Sequence, residues 1–341
     1  MNNSLIHRLL KLHFMRATRL AGLMLMTLML MLMPGIMLAQ PADWSVLLEP
    51  AELSELLDST PGLRVIHVTG NFADGHIPGA AEAPYAKFRG PQNNAGSLPL
   101  LQHLTALLKK LGIDANTPVV VVHQGNSASD MGAATRVYWT LKSLGVQQLA
   151  VLNGGFSAWR EQQLPVSTTA STVAPSGYQP EWNETWQISA SALESALELT
   201  DEFSQRNPTM RLLDARPNSF FTGQQSVAVR PGTIRGANNL SYETWFDNNR
   251  LKPLHELDIL FASNLSDSYN STITFCNTGH WASINWFVIS ELAGVANTQL
   301  YAESVVDWAQ SNRPMDNQPG RIAFYGALTR DWIKSWAGST P

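Results

Sequence analysis

Beyond about residue 44, short apolar runs alternate with longer stretches in which apolar residues recur at helical spacing. The run LRVIHV (63–68) is β-rich, and LPLLQHLTALLKKLGI (98–113) has helical spacing and stops at a glycine. PVVVVH (118–123) is a string of β-branched residues suited to a strand buried on both faces of a parallel sheet. A helix is expected near 131–144 and a strand at QLAVL (148–152). The second half reads in the same way. ISASALESALE (188–198) is helical, MRLLDA (210–215) and STITFC (271–276) are strands, and TQLYA (298–302) is a further strand. Between the last two lies a helix over 282–293, with Ile284, Phe287, Val288 and Leu292 close to core spacing. Strands alternating with helices predict an α/β protein in which helices flank mainly parallel sheets.

The two halves are related. VLNGGFSAWREQQLPV (151–166) resembles LYAESVVDWAQSNRPM (300–315), and an offset of 149 joins Trp159 to Trp308, Pro165 to Pro314 and Gly145 to Gly294. Earlier, GHIPGA (75–80) resembles GTIRGA (232–237) at an offset of 157. Each match is modest, but their shared order argues for tandem duplication, with the change of offset absorbed in loops. The expected domains are 41–168 and 185–316, joined by a Ser-, Thr- and Pro-rich linker over 169–184. Residues 317–341 form a tail in which LTRDWIKSWAG is expected to be a short docking helix.

The start of the chain differs. Arg8, Lys11, Arg16 and Arg19 precede the apolar run LAGLMLMTLMLMLM (20–33); Pro34 and Gly35 then break it, and a small residue, Ala39, follows. This order predicts a secretory signal over residues 1–39, cleaved after Ala39, and hence a periplasmic or secreted protein with no stable membrane insertion. The alternative is an uncleaved anchor, since residues 20–38 approach spanning length. Composition is that of a globular chain of 341 residues, 44% hydrophobic and 9% aromatic. A net charge of −4 and no basic stretch after the leader set nucleic-acid binding aside. Eight scattered histidines and one cysteine offer no metal-ligand spacing, and no phosphate- or dinucleotide-binding glycine pattern occurs, so neither a metal nor a cofactor is expected.

That cysteine is Cys276. In an exported chain structural cysteines come in pairs, so a lone thiol is either a buried small hydrophobe or a reactive group. Its position favours reactivity. Cys276 ends a predicted strand, and Asn277, Thr278, Gly279, His280 and Trp281 bridge to a predicted helix. In a parallel sheet this is the edge where ligands collect. A tight loop entering a helix turns backbone N–H groups inward, where they and the helix dipole stabilise a negative sulfur.

CNTGHWAS (276–283), LLDAR (212–216), the paired GHIPGA and PGTIRGAN, and LNGGFSAW (152–159) resemble, as an ordered set, the tandem-domain rhodanese-type sulfurtransferases. The resemblance spans about 44–316 and implies two rhodanese-like domains, of which the second carries the catalytic cysteine. The matching first-half loop, HQGNSASDMGAA (123–134), has none: His123 matches Cys276 by strand alignment and Ser127 by helix alignment. The implied chemistry moves a sulfane sulfur from a donor to Cys276 as a persulfide, and then to a thiophilic acceptor. Thiosulfate is the expected donor, with 3-mercaptopyruvate as the alternative; the acceptor is cyanide, a small thiol or a thiol or redox protein.

Residues 277–281 and Arg216 are candidate donor-binding groups, and Asp214 a structural support for Arg216. The loop departs from family patterns: His280 is its only group able to become cationic, and the arginine expected four residues beyond Arg216 is Phe220. Arg230 and Arg235 could replace it, though surface roles fit them better. His76 is expected to brace its turn. The first half, whose HVTGN (67–71) lacks the Asp-x-Arg pair, is expected to be purely structural. Two other functions compete. A cysteine phosphatase would need an arginine six residues past the nucleophile, where Ala282 stands. A non-catalytic persulfide carrier, or scaffold for a redox enzyme, would use the same thiol without turnover.

Overall fold

The computed structural model of the protein describes residues 44–201, 210–266 and 269–320. The leader and the tail helix expected from the sequence lie outside these residues. Among those described, no helix is long and apolar enough to cross a membrane.

The first half is built on five parallel strands: β1 (Leu47–Leu48), β2 (Arg64–His67), β3 (Ala81–Glu82), β4 (Val119–Val122) and β5 (Leu149–Leu152). Their order across the sheet is β1-β5-β4-β2-β3. Every residue of β4 and β5 is buried, as expected of central strands with helices on both faces. Helices α1 (Pro50–Ser59), α2 (Leu101–Lys110), α3 (Met131–Ser143) and α4 (Gly155–Glu161) make the connections.

The second half repeats the plan with β6 (Met210–Asp214), β7 (Asn238–Asn239), β8 (Ser271–Phe275) and β9 (Thr298–Leu300), ordered β9-β8-β6-β7 and parallel. Gln187 bridges in parallel to Leu300 at the place β1 holds in the first sheet. Its helices are α5 (Ala190–Asp201), a single turn α6 (Asn218–Phe221), α7 (Leu254–Asn264), α8 (Trp281–Phe287) and α9 (Ser304–Gln310). The segment expected to link the halves runs along the first: Ser176 Oγ donates to Ile113 and Tyr178 Oη to Leu144.

The halves meet through α3 and α8, the helices that follow equivalent loops. Lys142 is the one residue of α3 that is not buried, so this helix is covered all round instead of on one apolar stripe. Thr135 is satisfied across the contact: its hydroxyl lies 2.8 Å from that of Ser283. The helix expected over 282–293 is α only to Phe287 and continues as a wider π turn over Val288–Leu292. There Glu291 accepts from Tyr138 Oη and Lys142 Nζ of α3, both at 2.7 Å. Removal from water, and the neighbouring Glu291 carboxylate, push the Tyr138 hydroxyl well above its ordinary pKa.

Candidate active site

Cys276 directly follows β8, at the carboxyl end of a strand flanked by two others. It is 1% exposed. Its backbone is fixed by the start of α9. Cys276 N–H donates to Ser304 Oγ at 3.1 Å, while Val305 and Val306 N–H groups donate to the carbonyls of Cys276 and Asn277. Ser304 holds the left-handed backbone (φ 59°), a strained conformation that aims this hydroxyl. The N–H groups of Asn277, Thr278, Gly279 and His280 donate to no protein acceptor among the described residues. Gly279 also has positive φ (71°), and a Cβ there would strike the Arg136 guanidinium and the Ala302 carbonyl.

The same frame identifies the counterpart of Cys276. His67 pairs with Val122 as Asp214 pairs with Phe275, so His123 follows its strand as Cys276 follows β8. Phe156 and Ser157 N–H groups hold the carbonyls of His123 and Gln124 just as Val305 and Val306 hold those of Cys276 and Asn277. Gly155 occupies the place of Ser304, with φ of 61°. Of the two alignments open in the sequence, the strand alignment is the one the backbone follows. His123 is fully buried, and burial depresses its pKa to about 4, so the ring is neutral.

The cysteine loop is covered by the other half. Tyr85 Oη lies 3.0 Å from His280 Nδ1, and Ser129 Oγ lies 3.3 Å from its Nε2. Arg89 Nη2 donates to Thr278 Oγ1 at 2.9 Å. Arg136, fully buried on α3, donates to the carbonyls of Gly96 (2.8 Å), Gly279 (3.4 Å) and Ala302 (3.5 Å). Burial and the nearby Arg89 charge lower the Arg136 pKa to about 10, so it stays cationic at neutral pH. The first half therefore supplies side chains directly against the cysteine loop, a contact not foreseen from its missing thiol. Reciprocally, Asn249 of the second half donates to the carbonyls of Gly125 and Asn126 in the thiol-free loop, and Arg250 pairs with Glu49.

His280 is not the loop's cation. Burial, then the adjacent Arg89, bring its pKa down to about 4, and both ring nitrogens are engaged. Trp281 stacks on Tyr242, with centroids 5.2 Å apart and planes at 9°, and donates Nε1 to Ser129 Oγ. Phe220 meets Trp281 edge-on. Arg216 is a brace. Its Nε and Nη2 hold the Asp214 carboxylate at 2.6–3.1 Å, Nη2 also donates to Gly232 O, and Nη1 reaches Asn277 Oδ1 at 3.3 Å. Thr233 donates to the same carboxylate, so Asp214 and Arg216 anchor the loop through Asn277. Arg230 is spent on three carbonyls, those of Trp308, Ala309 and Arg313, while Arg235 lies exposed beside Asp316. His76 bridges Phe72 O and Thr169 O, bracing its turn. Among the described residues no cluster of metal-ligating side chains forms.

Tyr85, Arg89, Ser129 and Arg136 were missed in the sequence. The available signal was PYAKFRG (84–90), which follows directly on the GHIPGA repeat and carries an aromatic and a cation at helical-turn spacing. A cleft of about 850 Å³ lies not at Cys276 but beside the thiol-free loop, lined in part by Gly125, Gly154, Asn249 and Arg250.

Two duplicated parallel sheets, with one cysteine at a strand-to-helix loop, define a class of protein, and comparison with known proteins supplies the family. The Rhodanese-like domain model matches twice, at residues 49–162 and 195–311, and the chain belongs to that family. It is 29% identical over 277 residues to a Synechococcus elongatus protein named "Putative thiosulfate sulfurtransferase", covering 76% of this chain and 82% of that one. It is 24% identical over 267 residues to the 3-mercaptopyruvate sulfurtransferase of Escherichia coli, covering 76% and 89%. The human 3-mercaptopyruvate sulfurtransferase is 26% identical over 254 residues, covering 72% and 80%. The crystal structure of SseA from Escherichia coli, a 3-mercaptopyruvate sulfotransferase of the rhodanese fold, superposes with a TM-score of 0.63 at 21% identity, over 76% of this chain and 98% of that one.

Proposed function

We propose that the sulfurtransferase activity of this rhodanese runs through a persulfide on Cys276, with thiosulfate or a related anionic sulfane donor as substrate. The observation that carries this reading is the loop itself. A single thiol stands at a strand end, and the four backbone N–H groups that follow it in the chain donate to no protein acceptor among the described residues. Such donors stabilise charge on sulfur without being consumed.

In the first step the Cys276 thiolate attacks the outer sulfur of the donor. A sulfur–sulfur bond forms, the bond from that sulfur to the rest of the donor breaks, and sulfite departs from thiosulfate with the electron pair. The loop N–H groups then face the terminal sulfur of the persulfide anion. In the second step cyanide or a thiolate attacks that sulfur, and Cys276 leaves as thiolate, restoring the enzyme. The two half-reactions share one nucleophile and need no external oxidant or reductant.

The burial of Cys276 beneath side chains of the first half favours a small donor over a purely protein-borne carrier role. The 3-mercaptopyruvate sulfurtransferase reading uses the same steps with a carboxylate donor. Intact-mass analysis after thiosulfate addition should show one extra sulfur atom on Cys276, and thiocyanate should form when cyanide follows. Cys276→Ser should keep the melting temperature close to the parent's and lose both signals. Thiocyanate formation by that variant would overturn the mechanism.

We propose, from the sequence alone, that the protein is exported and its leader removed after Ala39. N-terminal sequencing of protein recovered from outside the cytoplasm tests this; an intact leader there would refute cleavage.

A further inference from the structure

We propose that Arg89, contributed by the half that lacks the thiol, is the residue that grips the anionic end of the sulfur donor at Cys276. The inference rests on Cys276 being the sulfur carrier. Most of the positive charge around the loop is already committed. Arg216 is saturated by Asp214, Gly232 and Asn277. Arg230 is committed to three carbonyls on the far side of α9. Arg136 lies behind the loop with both Nη atoms on carbonyls, one of them that of Gly279, and serves to hold the backbone. His280 is neutral, with both ring nitrogens occupied. Phe220 brings no charge.

Arg89 is different. One arm reaches Thr278, two residues past Cys276, and its guanidinium lies over the Tyr85 ring at 5.1 Å. No described carboxylate comes within ion-pair distance of it. Its other arm, Nη1, is shut away from solvent and has no hydrogen-bond partner. A buried donor without an acceptor is costly, and more so when charged; native sites seldom keep one without a use for it. Arg89 and Arg136 also sit close enough to each other to interact as like charges, and Tyr85 and Arg136 both lie within electrostatic reach of the Cys276 sulfur. Of the nearby acids, Glu303 interacts with Arg136, and burial holds its carboxyl above the usual carboxylate range, while Asp130 lies toward His280 and accepts from Asn126 N–H and Ser127 Oγ. Two cations therefore converge on the thiol's surroundings; Arg136 has both Nη atoms on carbonyls and only its Nε unpartnered, whereas Arg89 leaves a whole arm of its fork, Nη1, without an acceptor among the described residues. A guanidinium fork fits the oxygen pair of a sulfonate or carboxylate. An anionic donor oxygen on Nη1 would complete the coordination of Arg89, and the Thr278 contact would set the fork's orientation.

The test compares thiosulfate with an alkyl hydropersulfide that carries no carboxylate or sulfonate, whose outer sulfur passes to Cys276 as the alkylthiolate leaves, using persulfide formation on Cys276 in the full-length protein as the common readout. Arg89→Met should raise KM for thiosulfate about 10- to 100-fold, the range expected for a lost charge-assisted hydrogen bond. Transfer from the alkyl hydropersulfide should stay within about twofold. Arg89→Lys keeps the charge and stem but loses the fork, so it should fall between parent and Met for thiosulfate alone; it carries the test if the Met variant does not fold. Equal losses with both donors would mean a structural role, and an unchanged thiosulfate KM would mean no role; either overturns the inference while leaving Cys276 as carrier. Failure of the parent protein to load sulfur on Cys276 from either donor would instead remove the underlying reading, and the inference with it.

Discussion

Gly279 carries the shape of the cysteine loop. Its φ of 71° is one that side chains other than hydrogen rarely adopt, and the space beside it is taken by Arg136 and the Ala302 carbonyl. Both costs apply to any Cβ: about 1–2 kcal/mol for the backbone and a further displacement of rigid neighbours. Gly279→Ala should lower the thermal midpoint by several degrees and slow persulfide formation more than it perturbs the far-UV spectrum. Unchanged stability would show that the loop has another conformation open to it. This glycine was legible in the sequence because loops of this kind require one. Cys276 was legible for the same reason, as the one thiol at a predicted strand end. Arg89 was not, because nothing within a single half tells a surface arginine from one that reaches across to the other half.

At the level of elements, the central strands and the helices beside them read directly from the sequence, because burial on two faces demands long apolar runs and one-sided helices show their spacing. β4 and β5 fall within a residue of where the pattern puts them. α3 and α8 were harder to read. They are buried against each other, so Thr135 and Ser283, which suggest a solvent face, hydrogen-bond inside instead, and Arg136 spends both Nη atoms on buried carbonyls. The π turn after α8 likewise has no local signature; it is visible only in the pairing of Glu291 with Tyr138 and Lys142. Replacing Glu291 by Leu should leave the buried Tyr138 hydroxyl without its acceptor and cost about 1–3 kcal/mol, read as a lower urea midpoint. Tyr138→Phe in the same background should restore part of that loss, since it removes the orphaned group; no recovery would place the effect elsewhere.

For the molecule as a whole, His67, His123 and His280, whose rings are held neutral, set its response to acid. Burial takes His67 to about 3 and His123 and His280 to about 4, with His67 further lowered by His76 and His123 and His280 by Arg89. The unfolded chain titrates near 6.5, so below that pH it binds protons that the folded chain refuses. Stability is therefore complete above pH 6.5 and falls as pH drops toward 4, by on the order of 1–2 kcal/mol per histidine at pH 5. Urea unfolding at pH 7 and pH 5 should show this decline, and His123→Asn should make it shallower. A midpoint that does not move between those pH values would mean that these rings are not held neutral. The duplication itself was legible, since repeated motifs in repeated order survive sequence drift. The mutual covering was not, because Tyr85 and Arg89 over one loop, and Asn249 over the other, leave no mark at a fixed spacing. That exchange has a consequence for inheritance. The half whose loop carries no thiol supplies residues 85–89 to the surroundings of residues 276–281, so a substitution in either segment changes the other's environment, and the two copies are not free to vary as two separate chains would be.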